Sequence, residues 1–283
     1  MIPRSYSDMV KTLSSIFILL FVASVNAQEP EYMELVKAEA ALEDLFTQLY
    51  TDTLSKPQPI LNRIQEIMPE ALAISGSMEY PWSKLNRIGV IPSGDDKMKF
   101  FTWHVMDDLD HYRYFGYIQV GLKKGQVSVY ELVDNHKEQR NVQKLQQSAE
   151  NWYGKLYYKV IIRKYKRKTF YTLLGMDFNN RRSTIKTIEA VTLQRHKPQF
   201  VRELFFDGRD LVDRMVLEYS SQVAMSVRYD PGVQMITLDH LVPFHPIYNG
   251  NYEFYGPEGS YDGFEFDAGT WIFREDIDAR NLD

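Results

Sequence analysis

Cysteine is absent from all 283 residues. That excludes thiol nucleophiles, disulfides, thiolate metal ligands and a thioether-linked lipid anchor. Whatever folds must be held by a hydrophobic core. After the first 27 residues no apolar run approaches the roughly 20 residues that a helix needs to cross a bilayer. No membrane span is therefore expected in residues 28–283. Charge of one sign is also not in excess. Lys and Arg number 33 against 38 Asp and Glu, a formal net charge of −5, which argues against nucleic acid as the main partner. Three catalytic or binding signatures are missing: a Gly-x-Ser-x-Gly elbow, a Gly-rich phosphate loop ending in Lys-Ser/Thr, and the spaced ligands of a calcium loop. No cofactor is implied by what remains.

What is present begins with a three-part leader. Arg4 and Lys11 precede an apolar run over residues 13–25, and Val25, Asn26 and Ala27 end it with compact side chains. This is the pattern of a secretory signal peptide. Thirteen residues are too few to span a membrane, so residues 1–27 are expected to be removed as a leader and residues 28–283 to act in the periplasm or outside the cell. The charges inside the later strands argue against a lipid-facing barrel.

Residues 28–79 read as a helical segment. Leu35, Ala38, Leu42, Leu45, Phe46 and Leu49 recur at three and four, and a second stripe of Ile60, Leu61, Ile64, Ile67 and Met68 follows Pro57 and Pro59. Pro69 is expected to end or kink that helix. From residue 80 onward the period changes to two. Residues 98–105, 112–120 and 127–133 read as strands, and so do 156–162, 169–174, 184–193, 214–219, 222–229 and 233–238. A polar stretch over 134–150 reads as one short surface helix. The tail offers strands at 252–255, 260–266 and 270–274. The fold class expected is mainly β (α+β): antiparallel strand groups in a propeller-like, open-barrel or sandwich arrangement, with an N-terminal helical pair packed on a β domain at 80–283.

Several segments carry a resemblance: Asn151-Trp152-Tyr153-Gly154-Lys155-Leu156-Tyr157-Tyr158-Lys159, then 171–177, Phe101-Thr102-Trp103, 114–119 and the tail 254–262. Together they resemble a family of uncharacterised exported proteins typical of Bacteroidota, without an assigned activity. The resemblance implies an exported address and carries no catalytic residue. His104 and Met176 stand where the family pattern implies Asn and Trp.

Candidate sites follow from residue type. Asp239, His240 and His245 are close in sequence, but neighbours on a strand face opposite sides and no further ligands accompany them, so no metal site is expected. Asp107, Asp108 and Asp110, like Asp177, Asn179 and Asn180, suit tight turns. Arg163, Lys164, Lys166, Arg167 and Lys168 surround Tyr165 at a hairpin tip. They suit either a phosphate or sulfated glycan, or a solvated strand end guarded against edge pairing. The stretch 256–263 holds three glycines and reads as a shaped loop presenting Glu258, Tyr261 and Asp262. With His245 and Trp271 these are the candidate ligand-binding residues. The function expected is a non-enzymatic ligand- or partner-binding domain of the cell envelope, meeting an envelope protein or glycan. The alternative is a hydrolase acting on glycan or another envelope polymer through an acid/base carboxylate pair.

Overall fold

The computed structural model describes residues 30–51, 56–106, 111–135 and 142–278. The leader at 1–27 and the acidic turn at 107–110 lie outside the described residues. The chain is mainly β, with two N-terminal helices and sheets that do not close into barrels. It divides into two compact units, one reaching Leu85 and including Gly125–Val127, the other Asn86–Lys124 with Ser128 onward.

In the first unit, α1 (30–51) buries Leu35, Glu39, Leu42 and Phe46, one stripe of an amphipathic helix with a carboxylate in it. Glu39 accepts hydrogen bonds from the Tyr80 hydroxyl at 2.6 Å and the Lys84 backbone N–H at 2.9 Å. The Trp82 indole donates to the Ser77 carbonyl at 3.0 Å. These ties carry the unit past residue 79 to Leu85. Helix α2 (Pro57–Ala73) starts with proline in its first turn, where a missing N–H costs nothing. Of the two outcomes expected at Pro69, an end to the helix is not the one found. The helix runs on to Ala73, and Met68, Ala71 and Leu72 stay buried on the stripe begun by Leu61 and Ile64. Burial of that last turn offsets the one hydrogen bond that Pro69 cannot donate.

The second unit holds three sheets. The first has the order β1 (Gly89–Pro92), β2 (Met98–Met106), β3 (Tyr112–Gly121), β4 (Val127–Val133). The second contains β5 (Leu156–Tyr165), β6 (Lys168–Asp177), β7 (Ser183–Gln194) and β8 (Lys197–Phe200), with β11 (Met215–Ser220) on the far side of β7. The third has β9 (Phe205–Phe206), β10 (Leu211–Val212), β12 (Val227–Asp230), β13 (Met235–Pro243), β14 (Tyr255–Asp267) and β15 (Thr270–Arg274). Pairing is antiparallel except where β15 meets β9.

Alternation along β6 shows how the sheets are layered. Tyr171 and Leu173 join Met98, Phe100, Ile118 and Leu132 of the first sheet in one core. Phe170 and Leu174 join Phe205, Ile236, Leu238, Phe264 and Trp271 of the third in another. The second sheet is thus covered on both faces, which is why β6 and β7 are buried almost end to end. Of the arrangements the strand pattern allowed, the open sandwich type is the one found. The expected helix at 134–150 is not seen over its described part, where Val142–Lys144 forms a single 3-10 turn and Asp134 bridges to Trp152.

Candidate functional site

Two polar constellations stand out in the second unit, one sealed and one open. The sealed one lies between the first and second sheets. Glu189, buried on β7, accepts from Lys155 Nζ at 2.8 Å, Arg214 Nε at 3.1 Å and Gln147 Nε2 at 3.0 Å, and from the Tyr157 hydroxyl. Lys155 and Arg214 are as buried as the carboxylate they flank. The Trp152 indole donates to the Tyr157 oxygen at 2.8 Å. Nearby, buried Asp177 accepts from the hydroxyls of Tyr114 at 2.8 Å and Tyr153 at 3.0 Å, as well as closing its turn through the Asn179 N–H at 2.7 Å. Lys155 also sits 4.5 Å from the centre of the Tyr153 ring.

Electrostatics follow from that burial. Desolvation pushes the Lys155 amine down to about 8 against the pull of Glu189. It also pushes the Glu189 carboxyl up, but Lys155 and Arg214 outweigh it and hold the group below the ordinary carboxylate range. Desolvation and the neighbouring carboxylates raise the phenols of Tyr157, Tyr153 and Tyr114 well above theirs. With Lys155 and Glu189 almost wholly buried, this network joins two sheets and does not face solvent. Sequence reasoning gave Asp177 only its turn role and passed over Lys155, Glu189 and Arg214. A charged residue inside an otherwise apolar strand, as Glu189 is in Ile188-Glu189-Ala190-Val191, was the available signal.

The open constellation lies where β13 and β14 lose register. Asp239 pairs with Tyr261 and Leu241 with Pro257, so His240 alone faces Glu258, Gly259 and Ser260. Such bulges re-aim side chains. Gly259 has φ 102°, a conformation reserved in practice for glycine, and a methyl there would meet nothing within 4 Å. The backbone angle and not crowding requires this residue. The stretch 256–263 is therefore bulged strand and not the loop that its glycines suggested.

On this bulge His240 Nδ1 lies 2.7 Å from Asp262 Oδ2. The buried Asp262 carboxylate also accepts the Asp276 N–H at 3.2 Å. The other ring nitrogen, Nε2, lies 3.9 Å from Glu258 Oε1, and Ser260 Oγ donates to that same oxygen at 3.1 Å. His240 and Glu258 are both partly exposed. Phe244 lies against Gly256, where a methyl would meet its ring at 2.5 Å, and is 52% exposed. Phe244, Ile247, Tyr248 and Tyr252, all exposed, follow one another in the β13–β14 connection, which is built of two 3-10 turns.

Of the five residues singled out from sequence, Glu258 and Asp262 come together through His240. Alternation turns Tyr261 to the face opposite Asp262, and its backbone is held by Asp239 and Ile277. His245 caps the turn Pro246–Tyr248 by accepting the Ile247 N–H at 3.3 Å. Trp271 is a correction: it is fully buried, and its indole donates to Thr172 Oγ1 at 2.9 Å across the second core. His240 was set aside because its neighbours in sequence point elsewhere. Its partners come from the next strand. Among the described residues no group of three or more His, Asp or Glu is arranged to hold a metal ion, and no helix is long and apolar enough to cross a membrane. Comparison with protein-family models, curated proteins and solved structures gives no match.

Proposed function

We propose that residues 28–283 act outside the cytoplasm as a non-enzymatic binding domain of the cell envelope, and that the ligand is a neutral saccharide held at the β13–β14 bulge. The observation that carries this reading is a carboxylate and an imidazole at one bulge, Glu258 and His240, the latter fixed from behind by Asp262, with the exposed Phe244 ring against Gly256, two residues before Glu258 on the same strand. An aromatic face stacks on the C–H face of a sugar ring, and a partly exposed carboxylate accepts two hydroxyls at once. The imidazole can donate or accept at Nε2 once Nδ1 is committed to Asp262. The leader supports the address.

Calorimetric titration with chitobiose, cellobiose and maltose tests the reading. Binding of at least one is expected, weakened at least fivefold by Phe244→Ala and by Glu258→Gln with the melting temperature unchanged. Absence of heat with all three, or variants that bind as the parent does, would count against it.

One observation favours a second reading. An aspartate behind a histidine whose other nitrogen faces outward is also the arrangement of a general base. The carboxylates of Glu258 and Asp262 are separated by that imidazole and do not flank open space as an acid/base pair would. Turnover of p-nitrophenyl glycosides or p-nitrophenyl acetate, lost in His240→Ala, would favour the hydrolase. Binding without turnover favours the first reading.

A further inference from the structure

The basic hairpin tip offers a second and independent site, at the end of β14 opposite the β13–β14 connection. Of its five cations one is already committed. Arg163 stacks 4.8 Å from the Tyr229 ring centre and 5.6 Å from that of Trp271, and donates to the Tyr229 hydroxyl and to the Gln234 carbonyl. It holds the second sheet to the third. Lys166, Arg167 and Lys168 are different. They are exposed, make no ion pair with any described residue, and line a half-open hollow of about 570 Å³ with Tyr165, Phe170, Ala268 and Gly269. Lys166 Nζ lies 5.0 Å from the centre of the Tyr165 ring, a solvent-exposed contact that it gives up when a sugar takes its place on that ring and its ammonium turns to the anion.

The hollow is shaped by two hairpin turns. Tyr165 pairs with Lys168 across the first, and Asp267 with Thr270 across the second. Gly269, at φ 92°, lets the turn come close to the Tyr165 ring, since a methyl there would meet Cδ1 at 2.5 Å. Tyr165 therefore forms an aromatic wall beside three cations, with Asp267 the carboxylate of the second turn. Protection of a strand end would account for the cations but not for a concave surface with a ring in it. The size falls within the range of about 300–1,000 Å³ usual for small-ligand pockets.

We infer that this hollow binds a sugar ring bearing one sulfate or phosphate, with the ring on Tyr165 and the anion on Lys166, Arg167 and Lys168. A long polyanion fits less well. Beyond a screening length of about 8 Å the further anionic groups of a polymer lie out of reach of these three cations and add little to its binding. Guanidinium and ammonium groups supply short, charge-assisted hydrogen bonds to sulfate or phosphate oxygens. The apolar wall supplies contact that an inorganic anion cannot use.

The test is titration of the protein with glucose 6-sulfate, glucose 6-phosphate, glucose and inorganic phosphate, followed by tyrosine fluorescence and calorimetry. In the His240→Ala background, which disables the bulge, the sugar sulfate or the sugar phosphate, or both, should bind at least tenfold more tightly than inorganic phosphate, and glucose should not bind. Comparing the two charged sugars tells which anion is preferred. Raising the salt concentration should weaken binding by the parent protein, a readout that needs no variant. Lys166→Ala/Arg167→Ala/Lys168→Ala should lose at least tenfold in affinity at unchanged melting temperature, Tyr165→Leu should bring the sugar phosphate down to the affinity of inorganic phosphate, and His240→Ala should leave binding intact. Equal affinity for inorganic phosphate and glucose 6-phosphate, binding indifferent to salt, or a triple variant that binds as the parent does would overturn the proposal, as would no binding by either charged sugar.

Discussion

Glu189→Gln is the substitution that most sharply tests what holds the first two sheets together. The change keeps shape and volume but removes the negative charge between Lys155 and Arg214, both buried, and turns one acceptor of the site into a donor. Four donors converge on the native carboxylate: an ammonium, a guanidinium, an amide and a phenol. Breaking a buried ion pair on one side costs roughly 3–5 kcal/mol, because the partner stays buried and uncompensated. Here two cations are stranded, although Lys155, whose amine is already pushed down to about 8, can relieve part of the cost by releasing its proton. A loss of about 4 kcal/mol is therefore expected. It would be read from urea denaturation as a lower midpoint at unchanged slope. Lys155→Met in the Glu189→Gln background should recover part of the loss, since it removes one stranded cation. A Glu189→Gln protein within about 1 kcal/mol of the parent would refute the reasoning and place these charges in contact with water.

Alkali should unfold the protein steeply. The folded-state values of Tyr114, Tyr153 and Tyr157 are raised above the ordinary phenol value, so stability is undiminished below about pH 10 and falls above it, as only the unfolded chain releases these protons. Lys155, lowered to about 8, acts in the opposite sense between that value and its ordinary one. Three phenols outweigh it past pH 10, and tyrosinate absorbance should rise together with loss of the native dichroism. Acid acts through His104, packed 4.8 Å from the Phe178 ring and pushed down to about 4 by burial. Stability from its neutral form is full above the unfolded-state value and is lost as pH falls toward 4. The loss should amount to about 3 kcal/mol, and comparison of His104→Phe with the parent between pH 7 and 4 should show it removed. Gly154→Ala should cost about 1–3 kcal/mol in thermal melts, because its methyl would lie 2.6 Å from Tyr114 Cβ and 2.5 Å from Asp134 Cγ. A wild-type melting temperature would contradict that close approach.

The strands were legible because their alternation is strong. Residues 98–105, 112–120 and 127–133 fall within β2, β3 and β4 to within a residue. Short strands were not: β1, β8, β9 and β10 span two to four residues, too few to show a period. The tail was misread for a different reason. Glycine in a strand has the same signature whether the chain bulges or turns, and only the pairing of β13 with β14 tells the two apart. Glu258 and Asp262 could be named from their setting, but His240 could not, because the contact that gives it a role crosses between strands. Trp271 illustrates the converse. A tryptophan beside a turn suggested a binding ring, whereas its partner is Thr172, far away in sequence and on another sheet.

Whether His240 meets a sugar is read most directly from nitrogen-15 spectra of the histidine side chains. Addition of chitobiose, cellobiose or maltose to about 10 mM, enough for a weak site, should move the His240 Nε2 resonance in a saturable way for at least one sugar. Nδ1, held by Asp262, should move less, and His196 should stay fixed. A His240 spectrum untouched by all three sugars would contradict the assignment of the bulge as the binding site.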